Sequence, residues 1–169
     1  MTASTLIPII ISALLTLFSV VMAFRAWRWT PLTAYMAMWP LYYLTEFTGF
    51  TDSLLTFWGI ATLIALGINY MLPFSVATSR TGMAYMAGGA LAGTFVGLLA
   101  TPVAGVICGS AAGGFLGALA FSRMRAGKVL AFPSRRFFNY IVAKGLPLVV
   151  EMSASGLVGI AIYQYFLIN

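Results

Sequence analysis

Three acidic residues, nine basic residues and no histidine stand in a chain of 169, so its chemistry is confined to very few side chains. Glu151 is the most informative. It follows Pro147 by four positions in the apolar stretch 145–166. An ionisable group there costs about 2.5–3.5 kcal/mol at a helix centre on insertion scales, and marks a functional position by default. Lys144 stands seven residues earlier, on the same face of a helix but about 10 Å away along its axis. A direct ion pair therefore needs both side chains to bend, or a bridging water. Pro147 has no N–H for the carbonyl of Ala143, which leaves a polar acceptor on that face. The set suits a proton- or cation-responsive carboxyl lining a polar cavity between helices. The plainer alternative is an interhelical hydrogen bond, with Glu151 neutral or tied to Lys144. Glu46 is a further candidate, one turn from the end of its apolar stretch, where water reaches a carboxylate.

The missing residue types exclude whole classes of chemistry. Zinc, haem and most transition-metal sites need several histidine or cysteine ligands. This chain has only Cys108, so neither a metal nor another cofactor is expected. Cys108 lies among small residues and reads as a small buried hydrophobe. No serine–base pair is available for nucleophilic catalysis, so an enzyme is not expected. The net charge of +6 comes from basic residues beside apolar segments rather than from a patch, which argues for membrane topology and against nucleic acid.

The elements that must position these residues follow from composition. The chain is 62% hydrophobic and 7% charged, whereas a soluble domain carries about 25% charged residues. It reads as a single all-α transmembrane domain over 1–169, a polytopic integral membrane protein of about six helices. The expected spans are 6–24, 32–50, 54–72, 82–100, 103–121 and 145–166, with an interfacial helix at 134–144 ahead of a bend at Pro147. Pro40 predicts a kink in the second span, because the carbonyl of Met36 loses its donor. The loops after the first, third and fifth spans hold eight of the nine basic residues. By the positive-inside rule they face the cytoplasm, with both termini outside, in a bacterial inner membrane. Arg25, Trp27, Arg28 and Trp29 interleave two arginines with two tryptophans, the mixture that anchors a helix in the headgroup layer. Anionic lipids on the cytoplasmic side are the expected contacts of the basic loops.

Glycine recurs every fourth residue at Gly89, Gly93 and Gly97, and again at Gly105, Gly109, Gly113 and Gly117. Spacing of four puts each set on one helix face, a smooth surface that a second helix can approach to backbone contact. Thr101-Pro102 divides the stretch into a tight hairpin of spans four and five, a glycine zipper formed within one chain or between copies. This arrangement, with Pro102 between the glycine runs and Lys144 early in a last helix after a basic loop, resembles the bacterial membrane proteins of domain of unknown function 456. The resemblance covers about residues 75–165 and implies the hairpin fold, but no activity and no catalytic residues. The chain differs from that family after the first span, where RAWRWTPLTAY holds only Pro31.

Two functions follow from the sequence. One is a non-enzymatic structural or assembly role, as a homo-oligomer or a small subunit among other membrane proteins. The alternative is a small transporter or channel that uses Glu151, with Lys144 and the Pro147 bend, as an intramembrane ion-responsive site.

Overall fold

The computed structural model describes residues 3–43, 50–71 and 80–168, and among these the chain is helical with no strand. Glu46, named above as a candidate, lies outside the described residues. In chain order the helices are α1 (Ala3–Phe24), α2 (Thr30–Met36), α3 (Trp39–Tyr42), α4 (Asp52–Met71), α5 (Arg80–Ala100), α6 (Pro102–Ser122), α7 (Arg135–Tyr140) and α8 (Leu146–Ile168). A 3-10 turn, Arg125–Leu130, joins α6 towards α7, and a π-helical turn, Ile141–Gly145, fuses α7 to α8.

Among the described residues, five helical segments are long and apolar enough to cross a membrane: Thr5–Phe24, Asp52–Met71, Arg80–Ala100, Pro102–Ser122 and Arg135–Leu167. The expected second span is different. Among its described residues it forms two short helices, because Pro40 has no N–H for Met36 and the first of them stops there. The Met38 N–H turns instead to the carbonyl of Tyr35 at 3.0 Å, a tighter turn that joins the two pieces.

At Thr101 the chain reverses in a single extended residue, and Pro102 opens α6 where a missing N–H does no harm. The glycines of α5 and α6 then face one another within the chain. A Cβ at Gly89 would lie 2.2 Å from the carbonyl oxygen of Gly113, one at Gly93 2.0 Å from that of Gly109, and one at Gly97 1.8 Å from that of Gly105. Gly117 closes the row, 2.2 Å by the same measure from the carbonyl of Tyr85. Only glycine allows this approach, which puts Cα hydrogens against carbonyl oxygens. Cys108 is exposed, so the expectation of a buried thiol is corrected.

The centre of the molecule is α8 rather than the hairpin. Its apolar window is 56% buried, against 33% or less in the other four long helices. It packs against α1, α2, α4, α5 and α6. Small residues make this possible: Ser153, Ala154 and Ser155 are buried, and a Cβ at Gly156 would meet Val106 and Thr94 at 2.7 and 2.8 Å. Pro147 does not bend the chain into two separate helices. The π-turn just before it absorbs the lost donor, with the Leu146 N–H reaching back five residues to Ile141.

Candidate functional site

Glu151 is 1% exposed, three residues beyond Leu148 on the buried face of α8. Its partners come from the first two helices. Ser19 of α1 places its hydroxyl oxygen 3.0 Å from Glu151 Oε1 and 3.0 Å from the carbonyl oxygen of Thr30 at the start of α2. The hydroxyl of Thr30 also faces the carboxyl. A serine hydroxyl has one proton and two lone pairs, so Ser19 serves Glu151 in either protonation state. It donates to the carboxylate, or it accepts from the neutral acid while donating to Thr30. The Thr30 carbonyl keeps a second donor, the Thr33 hydroxyl at 2.9 Å, whichever way Ser19 turns.

Lys144 is brought close to this carboxyl but not onto it. Its ammonium, on a residue 8% exposed, donates to Asn69 Oδ1 of α4 at 3.4 Å. Asn69 in turn donates through Nδ2 to the backbone carbonyl of Arg28 at 3.3 Å. Among the described residues Lys144 and Glu151 form no ion pair. Between them lies a cavity of about 10 Å³, lined by Trp27, Thr30, Asn69, Lys144, Pro147 and Glu151. That is space for about one water molecule, with polar partners on several sides. The bridging water envisaged for these two side chains therefore has a place to sit.

The turn that closes the cavity is held tightly. Ala26, one of its lining residues, has φ 57°, a conformation uncommon outside glycine and asparagine. The Trp27 N–H returns to the carbonyl of Met22 at 3.2 Å and so ends α1. Of the four residues expected to anchor this turn, Arg25, Trp27, Arg28 and Trp29 are all exposed. Trp27 packs edge-on against Phe18, Trp29 against Tyr70, and the Arg28 guanidinium lies 5.9 Å from the centre of the Tyr70 ring.

A second and much larger space lies one turn further along α8. It is a groove of about 810 Å³ between α1, α5 and α8, lined almost wholly by apolar side chains, among them Leu17, Val20, Phe95, Met152 and Tyr163. Ser155 lines it too, is 6% exposed, and its hydroxyl has no hydrogen-bond partner among the described residues.

Ser19, Thr30 and Asn69 are the site residues that sequence reasoning missed. Ser12, Thr16 and Ser19 recur at helical spacing along α1, which is a signal of a hydroxyl-bearing face, but nothing in the sequence says that this face meets Glu151. Asn69 stands near the end of α4. It is buried, and it tethers Lys144.

No protein-family model matches the chain, and comparison with curated proteins and with solved structures returns no match.

Proposed function

We propose that this chain is a small, non-enzymatic integral membrane transporter or channel whose ion-responsive group is Glu151. The observation that carries the reading is the hydroxyl of Ser19, equidistant from the carboxyl and from the Thr30 carbonyl. It lets a buried acid gain or lose a proton, or exchange it for a cation, without either form being left unpartnered. Lys144, tied to Asn69 rather than to Glu151, leaves the carboxyl free to change its charge. A structural ion pair would instead spend both charges on each other. In this reading the chain crosses a bacterial inner membrane six times, with the basic loops cytoplasmic and both termini outside. Arg25, Trp27, Arg28 and Trp29 anchor the cytoplasmic rim against anionic lipid. The test is flux: in proteoliposomes, wild-type protein carries protons or a monovalent cation down an imposed gradient, and Glu151→Gln falls to the rate of empty vesicles. Equal flux from both proteins would remove Glu151 from the mechanism.

A second reading has its own support. The hairpin of α5 and α6 acts as a glycine zipper, in which Gly89, Gly93, Gly97, Gly105, Gly109, Gly113 and Gly117 form a rigid post. A post of this kind suits a scaffold or a subunit of a larger membrane complex. Because these glycines are consumed inside the chain, a homo-oligomer or a heteromeric partner would use another face. Gentle purification from native membranes, with identification of what accompanies the chain in fixed stoichiometry, separates the two readings.

A further inference from the structure

Glu151 and Lys144 line one small cavity, and what that cavity can hold decides what Glu151 exchanges. Resting on the reading of Glu151 as a responsive carboxyl, we propose that the exchanged species is the proton alone, passed through one water, and that Lys144 is the residue that keeps metal cations out.

Size favours the proton. About 10 Å³ is room for one water molecule. A metal cation that sheds its hydration shell needs a set of oxygens in its place, as potassium channels supply with backbone carbonyls. The oxygens in and beside this cavity already accept hydrogen bonds. Asn69 Oδ1 accepts from Lys144, the Arg28 carbonyl from Asn69, and the Thr30 carbonyl from the Ser19 and Thr33 hydroxyls. The carboxyl and the Thr30 hydroxyl remain, which falls far short of a shell.

Charge favours it too. The Lys144 ammonium shares the cavity with the carboxyl, on a residue 8% exposed, where salt and water screen it little. A metal ion beside Glu151 would face that ammonium inside the same small space. A proton is absorbed into the carboxyl and leaves no second cation there. Among the described residues, the other elements around Glu151 bring no further charge. Here α1 presents Ser19 and Ala23, α2 Thr30, α4 Asn69 and α5 Met83, while α6 meets α8 through Ser110 and Ser153. Arg25 and Arg28 are exposed. Ser19 completes the fit. A metal cation would ask its oxygen only to coordinate, whereas a proton asks it to change between donor and acceptor. Its two partners, each 3.0 Å away, are the two ends of that change. The step balances: a hydronium in the cavity gives its proton to the carboxylate and becomes water, and the reverse step returns it.

The experiment is infrared titration of the Glu151 carboxyl in the purified full chain in detergent, run in sodium, potassium and N-methylglucamine chlorides of equal concentration. Wild type is expected to titrate at one midpoint in all three salts. A metal cation that competed with the proton would lower the midpoint, by on the order of one pH unit at ten times its dissociation constant. Such a shift would overturn the proposal while leaving Glu151 responsive. Identical spectra from wild type and Glu151→Gln would instead remove the responsive carboxyl itself, and the proposal with it. Lys144→Gln keeps an N–H donor for Asn69 and drops the charge, so its midpoint should become sensitive to sodium or potassium. A folded Lys144→Gln as indifferent to salt as wild type would overturn the role given to Lys144. If that variant does not fold, the wild-type comparison across the three salts decides by itself.

Discussion

Replacing Gly93 by alanine adds one methyl group in the middle of the α5–α6 glycine row, and the structure fixes what that methyl meets. Its carbon would lie 2.0 Å from the carbonyl oxygen of Gly109, 2.8 Å from the carbonyl carbon and 3.0 Å from the Cα of Gly113. All three are backbone atoms, so no side chain can turn away. Ordinary contact begins near 3.4 Å, so the helices must separate locally by about 1.4 Å. Separation opens the flanking glycine pairs, whose weak Cα–H···O contacts are worth about 0.5–1 kcal/mol each. Overpacking of this kind costs typically about 1–3 kcal/mol. The control is Gly67→Ala in α4, where the new Cβ meets nothing within 4 Å and helix propensity alone favours alanine by roughly 1 kcal/mol. Thermal unfolding of both variants in the same detergent, followed by circular dichroism, is the assay. Gly93→Ala should melt below wild type and Gly67→Ala at or above it. If the two variants melted together, the close approach of α5 and α6 would not hold the fold.

Further outcomes follow from the polar cluster and the loops. Ser19→Val removes the hydroxyl shared by Glu151 and Thr30; a loss of about 1–3 kcal/mol is expected, as for any buried polar group left unpartnered, and denaturant titration in micelles checks it. Asn69→Leu strands the Lys144 ammonium and should destabilise comparably, whereas Asn69→Leu combined with Lys144→Met removes both partners and should recover most of the loss. Gly127→Ala would push a Cβ to 1.9 Å from the Phe121 carbonyl oxygen. It should free the turn Arg125–Leu130, seen as faster hydrogen exchange there with the long helices unchanged. Cys108, which is exposed, should react with a lipid-soluble maleimide in the folded protein at a rate close to that after unfolding.

Much of the fold could be read from the sequence, for identifiable reasons. Glycines at spacing four have few uses in an apolar helix, and Thr101-Pro102 can only divide two helices, so the α5–α6 hairpin follows from local rules. The same rules found the break after Met36, because proline acts within one turn of itself. They failed where a neighbour decides the outcome. Pro147 reads as the junction between an interfacial helix and the last span, yet the helix runs on through it by way of a π-turn, and α8 packs against five neighbouring helices. Glu151 and Lys144 stood out as charges in an apolar stretch. Their partners Ser19, Thr30 and Asn69 did not, because serine, threonine and asparagine are ordinary in membrane helices until another helix turns towards them. Ser155 was invisible for the same reason: an unpartnered hydroxyl is a property of packing, not of spacing.

The most direct measurement is an infrared pH titration of the carboxyl stretching band, comparing wild type with Glu151→Gln. With only three acidic residues in the chain, each carboxyl contributes a resolvable share of the signal. The expected result is a titrating band in wild type that is missing from Glu151→Gln and shifted in frequency in Ser19→Val, since the hydroxyl bonds the carboxyl directly. Identical difference spectra from wild type and Glu151→Gln would mean that the buried carboxyl never changes state, and the ion-responsive site would have to be abandoned.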